Sequence, residues 1–230
     1  MPEGRPLITS RVEGHFRKRM SIAREGWLYI LALLVLGAAI AWHWPRTGAA
    51  VLALALFVTY FFRDPERRIP TEPGAVVSPA DGKVVRIEPA GEGGPLGADG
   101  QQISIFLSIF DVHINRAPIA GRIADVNYRP GAFLPAFDHE ASERNEQNSV
   151  QVDGPQGRVV FRQIAGLIAR RIVFRKRVGD EVARGERVGM IKFGSRTDLF
   201  LPATAQLKVK VGDRVAGGTS VIAILPEGAQ

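Results

Sequence analysis

The stretch "IKFGSRTDLFLP" (191–202) places a Gly-Ser dipeptide, Gly194–Ser195, between β-rich runs. An isolated Gly-Ser is usually an ordinary tight turn. In a strained β setting it also has chemistry of its own. The Ser hydroxyl can attack the carbonyl of the preceding residue, and Gly there leaves that carbonyl unshielded and lets the backbone bend. The N-to-O acyl shift gives an ester. β-Elimination then gives dehydroalanine, and hydrolysis leaves a pyruvoyl group on a new N-terminus. Such a ketone can form a Schiff base with a substrate amine and serve as an electron sink. Other residues able to do chemistry are Asp81 in "SPADG", His113, Asn115 and Arg116 in "FDVHINRAP", and His139 in the polar segment 135–147. Taken singly, an Asp before Gly is most often a turn former, and a His beside a strand is most often a satisfied structural one.

Two apolar runs precede these residues. Residues 27–44 contain His43 as their only basic or acidic side chain, and residues 47–62 contain none. Only Pro45 and Arg46 separate the runs, which predicts a membrane helical hairpin over 27–62 with a turn carrying Pro45 and Gly48. A signal peptide fits poorly, because a mixed segment of 26 residues precedes the first run and a second run follows at once. A helical pair buried in a soluble core is the other reading. Arg17, Lys18, Arg19 and Arg24 lie before the hairpin and Arg63, Arg67 and Arg68 after it, with Arg46 alone in the turn. That asymmetry places both ends in the cytoplasm, with the anchor in the inner membrane. Trp27, Tyr29, Trp42, Trp44 and Tyr60 are spaced like an aromatic belt.

The net charge is +7. No recognition-helix, RNP-like or zinc pattern accompanies it, so anionic headgroups are a simpler partner than nucleic acid. The chain has no Cys, which removes disulfides, thiolate catalysis and Cys-metal sites. No metal cluster is legible.

Residues 63–230 read as a mainly β cytoplasmic domain, short strands punctuated by Gly, Pro, Asp and Asn. "RVGDEVARGERVGMI" (177–191) and "KVGDRVAGGTSVIAI" (210–224) match at an offset of 33, an internal repeat. The pattern resembles the barrel-sandwich architecture of biotinyl and lipoyl carrier domains, with Gly194–Ser195 where those domains place their modified Lys on a hairpin. Lys192 is out of register for that role.

"YFFRDPERRIP" (60–70), "VVSPADGKV" (76–84), "FLSIFDVHINRAPIAG" (106–121), "ERNE" (143–146) and "FGSR" (193–196) together resemble phosphatidylserine decarboxylase, in its short prokaryotic form with a membrane hairpin. The resemblance covers nearly the whole chain, in order. It implies a self-processing, pyruvoyl-dependent enzyme that converts phosphatidylserine to phosphatidylethanolamine and CO₂. Ser195 matches the cleavage serine, giving a β chain 1–194 and an α chain 195–230 that stay associated. Asp81 matches an acid tied to self-cleavage, and His113 a histidine assigned to decarboxylation. Longer members carry a second histidine three residues on, where this chain has Arg116. Asp81 acting alone, His113 serving both steps, or His139 substituting are the remaining options for the base. Arg116, Asn115 and Arg196 are candidates for the substrate phosphate or carboxylate; Lys83 and Arg86 read as surface charge. A homo-oligomer is compatible with the domain. The rival readings are a membrane-anchored barrel-sandwich binding module without catalysis and a pyruvoyl enzyme acting on a free amino acid.

Overall fold

The computed structural model describes residues 20–97, 99–135, 140–167, 171–192 and 194–226. The two apolar runs form helices α1 (Trp27–His43) and α2 (Pro45–Phe61). The turn between them is tighter than the sequence predicts. Trp44 alone links the helices, and Pro45 is already the first residue of α2, where its missing N–H costs nothing. Gly48 is therefore not in the turn. It lies inside α2, where an added Cβ would sit 2.5 Å from Ala41 Cα, so it lets the two backbones approach. Trp27, Leu28, Leu31, Val35, Trp42 and Leu56 point outward and are exposed. The segment Arg24–His43 is long and apolar enough to cross a membrane, while Pro45–Phe61 is shorter.

A short antiparallel pair, β1 (Met20–Ile22) with β2 (Arg63–Pro65), brackets the helices and ties their base to the rest of the fold. The chain continues through β3 (Ala75–Val77), β4 (Gly82–Pro89), β5 (Gln101–Leu107), β6 (Ile114–Arg116) and β7 (Gly121–Arg129). A short helix α3 (Ala141–Arg144) precedes β8 (Gln147–Gly154), β9 (Gly157–Ala165), β10 (Ile172–Phe174), β11 (Glu181–Val182) and β12 (Arg187–Ile191). Then follow β13 (Ser195–Leu201), β14 (Gln206–Leu207), β15 (Arg214–Val215) and β16 (Val221–Ile224).

The fold is mainly β, as the sequence predicts. A curled sheet of eight antiparallel strands runs in the order β11-β7-β8-β9-β13-β5-β4-β15. Two three-stranded sheets, β10-β12-β6 and β14-β16-β3, complete the domain. Alternation along the large sheet sends Ile103, Ile105, Val150, Val152, Phe161, Leu199 and Leu201 into one buried core. Each such side chain contributes about 1.5–3 kcal/mol on burial. That gain holds β13 in place although its other face carries the buried ion pair Arg196–Asp198. In the two VGD turns, Asp180 and Asp213 each accept a hydrogen bond from the backbone N–H three residues earlier, at 2.8 and 3.0 Å. Gly179 and Gly212 take φ of +98° and +100°, the left-handed region in which Gly is unstrained.

Candidate active site

Ser195 opens β13, the strand flanked by β9 and β5. Its backbone lies opposite Leu107 on one side and Ala165 on the other, and its side chain is fully buried. This corrects the hairpin expectation. β12 and β13 do not pair with each other; β12 pairs with β10 and β6, in a different sheet. Gly194 thus sits where the chain passes from one sheet to another. Its φ is +66°, and nothing stands within 4 Å of where a Cβ would be. Glycine is needed there for backbone conformation, not for space.

His113 immediately precedes β6 and meets the same junction. Its Nδ1 lies 2.9 Å from the Asp111 carbonyl oxygen. A carbonyl only accepts, so Nδ1 carries the proton and Nε2 keeps its lone pair. The Gly194 N–H donates to that Nε2 in a long contact of 3.4 Å. The Phe61 ring from the end of α2 lies 4.1 Å from the imidazole, centroid to centroid. Burial is the largest influence on this histidine and pulls its pKa down to about 4; Arg63 pushes the same way, and the Asp111 carbonyl opposes. The imidazole is therefore neutral at pH 7, with a basic nitrogen facing the Gly194–Ser195 junction. Ser195 Oγ is buried and, among the described residues, has no hydrogen-bond partner. A hydroxyl left without a partner is costly as a structural feature and suited to a reacting group.

The loop that holds His113 is clamped to the helical base. Arg63 donates to the carbonyls of Phe110 (2.6 Å) and Tyr60 (2.9 Å), and the Tyr60 hydroxyl donates to the same Phe110 carbonyl at 3.3 Å. Phe57 of α2 meets the exposed Phe110 edge-on.

Asp81 lies in a different environment. Oδ2 pairs with Arg67 at 2.7 Å and Oδ1 accepts from the Gly217 N–H at 2.8 Å. Burial raises its pKa, while Arg67 and the Gly217 N–H pull the other way. Among the described residues no hydrogen bond links it to Ser195 or His113. Its turn instead supports β6, because the Pro79 carbonyl accepts from the Arg116 N–H at 2.9 Å.

The three residues expected at the substrate phosphate or carboxylate are engaged inside the fold. Arg116 donates to the Gly185 and Pro65 carbonyls and pairs with Asp64. Asn115 donates to Thr197 Oγ1 at 3.3 Å and accepts from Gln163 at 2.9 Å. Arg196 is buried on the opposite face of β13 from Ser195, against Asp198. His139 and Phe193 lie outside the described residues. Phe61 and Asp111 are site residues that the sequence reading missed. Phe61 was legible only as the end of an apolar run, and Asp111 acts through its carbonyl, which no side-chain pattern reveals.

Residues 54–223 match the family model described as phosphatidylserine decarboxylase. The chain belongs to the phosphatidylserine decarboxylase family. It is 52% identical over 205 residues to a phosphatidylserine decarboxylase proenzyme of Solibacter usitatus, covering 89% of this chain and 97% of that protein. It is 49% identical over 213 residues to the proenzyme of Symbiobacterium thermophilum (91% and 98%). The Geobacter sulfurreducens proenzyme is 45% identical over 212 residues (89% and 97%).

Proposed function

We propose that this chain is a phosphatidylserine decarboxylase proenzyme that cleaves itself between Gly194 and Ser195 and then decarboxylates phosphatidylserine at a membrane surface. The observation that carries the proposal is the buried Ser195 Oγ without a partner, next to a neutral histidine whose basic Nε2 faces Gly194. In self-cleavage His113 Nε2 takes the Ser195 Oγ proton as Oγ adds to the Gly194 carbonyl carbon. The tetrahedral centre collapses with loss of the Ser195 nitrogen, which receives a proton, and Gly194 becomes an ester on Oγ. Removal of the Ser195 Cα proton expels Gly194 as a carboxylate. Water then replaces the nitrogen, which leaves as ammonia.

When formed, the pyruvoyl group supplies an electron sink for the substrate's amino carbon. His113, held by the Asp111 carbonyl and shielded by Phe61, has its bare Nε2 placed to take a proton from the incoming substrate ammonium and return it to that carbon once CO₂ has left. Asp81 is assigned a positioning role, since its Arg67 and Gly217 contacts hold the turn behind β6 and, among the described residues, no hydrogen bond links it to Ser195 or His113. The exposed apolar helices fit a hairpin inserted in the inner membrane, with the β domain (residues 63–230) on the cytoplasmic side.

Intact mass of the purified full-length protein tests the reading. Wild type is expected as two chains, 1–194 and 195–230, the shorter carrying a blocked N-terminus and gaining mass when reduced with cyanoborohydride in the presence of phosphatidylserine. Ser195→Ala is expected as one chain with no decarboxylation. A wild-type protein that stays as one chain would overturn the reading in favour of an anchored binding module.

A further inference from the structure

Lys192 is a cation at the base of the helical hairpin, and the catalytic assignment above leaves it unused. It directly follows β12, and its backbone N–H reaches the Arg171 carbonyl at 3.4 Å. Its neighbour Ile191 donates to the His113 carbonyl at 3.3 Å, which fixes Lys192 beside the His113 strand. The ammonium lies 5.2 Å from the Tyr29 ring centre and 5.9 Å from that of Phe62. Those two rings stack nearly parallel, with centroids 5.9 Å apart and an interplanar angle of 7°. Tyr29 is in the first turn of α1 and Phe62 directly follows α2, so the platform stands where the apolar helices meet the β domain.

Among the described residues, no carboxylate lies within ion-pair distance of Lys192. Glu25 is near enough for the Lys192 charge to act on it, and its Oε1 is paired with Arg175. Aromatic faces hold an ammonium by its charge but offer no lone pairs. The Lys192 donors are therefore available to an acceptor that arrives from outside.

We propose that Lys192 binds the phosphodiester of the phospholipid substrate and so sets recognition of the headgroup. This rests on phosphatidylserine as substrate and on Ser195 as the reacting position. Lys192 and Ser195 are three positions apart in the chain, a span of at most about 11 Å, much of which a lysine side chain covers. In the substrate only the serine side chain separates the reacting amine from the phosphate. An anchored lipid whose amine reaches residue 195 places its phosphate nearer the membrane, and Lys192 lies on that side. Three other cations of this region are committed: Arg63 to two carbonyls, Arg175 to Glu25, and Arg116 to Asp64 and two carbonyls.

The test uses full-length processed enzyme with phosphatidylserine in neutral detergent micelles. Lys192→Met is expected to self-cleave like wild type and to raise KM about tenfold or more, with a much smaller change in kcat. Lys192→Arg should recover most of the loss. A KM within about twofold of wild type overturns the proposal, as does a fall in kcat at unchanged KM. An effect seen only when a non-substrate anionic lipid is added also overturns it, because Lys192 then binds the surface and not the substrate. Cleavage lost in Lys192→Met but kept in Lys192→Arg would move Lys192 to self-processing and overturn it too. If neither variant cleaves, wild-type enzyme decides: phosphatidylserine micelles should protect Lys192 from reductive methylation, and an unprotected Lys192 sinks the proposal. Failure of wild type to cleave at all would instead overturn the parent reading.

Discussion

His113 and Asp81 are the two groups that the sequence offers as base for self-cleavage, and the structure surrounds them in opposite ways. His113 has an apolar ring against its face, one nitrogen fixed by a carbonyl, and the other nitrogen exposing a lone pair to the Gly194 N–H. Asp81 has a donor on each oxygen, one of them the charged Arg67. Both are desolvated, but burial keeps His113 in its neutral, proton-accepting form beside Gly194, whereas it raises the pKa of Asp81 against the pull of Arg67 and the Gly217 N–H, partners that tie Asp81 to its own turn. A buried ionisable group becomes a reagent when its accepting atom faces the reacting bond and is held there only by a long contact, as the 3.4 Å Gly194 N–H contact holds His113 Nε2.

The sharpest way to break this comparison is to remove each group in turn. His113→Gln should slow self-cleavage about 100- to 10,000-fold, the range that a general base contributes. Intact mass followed against time measures it. Asp81→Asn should act through the fold instead. It leaves Arg67 short of its charge partner and loosens the turn that supports β6, at a cost of about 1–3 kcal/mol in denaturant unfolding. Cleavage should slow by no more than about tenfold. If Asp81→Asn stops cleavage as completely as His113→Gln while unfolding at the same denaturant concentration, Asp81 is the base and the comparison inverts.

Much of this was legible because the signals are local. Two apolar runs gave the helices, alternation and turn residues gave a mainly β domain, and short motifs gave Ser195 and His113. What was hidden depends on contacts between distant residues. Arg116 looked available for substrate, but its guanidinium is claimed by Asp64, Pro65 and Gly185, each more than 50 residues away. Gly194–Ser195 looked like a hairpin because β12 and β13 are consecutive, yet each strand pairs in a different sheet. Gly48 looked like a turn residue because it follows Pro45, whereas its use is to admit Ala41 of the facing helix.

The comparison sharpens with pH. The folded pKa of His113, about 4, lies below its ordinary value of 6.5, so the unfolded chain takes up a proton that the folded chain refuses. Stability from this group is intact above pH 6.5 and falls progressively between pH 6.5 and 4, by about 3 kcal/mol in all. Chemical unfolding across that window should show the loss, and His113→Gln should reduce it. Self-cleavage should keep its base over the same interval, with the rate declining only as pH approaches 4. A rate that halves near pH 6.5 would mean an ordinary, solvated histidine and would contradict the buried geometry.

The smallest effect should come from Phe61, because it touches the base without taking part in bond-making. Phe61→Leu keeps an apolar side chain but withdraws the flat ring from the imidazole, so water reaches His113 more easily and the penalty on its charged form shrinks. The acid limb of the cleavage profile should then move upward, toward 6.5, by a fraction of a unit, and the rate at pH 7 should fall by less than about tenfold. An acid limb that stays fixed in Phe61→Leu would show that the strands alone desolvate His113. The helical hairpin would then be an anchor for the site and not one of its walls.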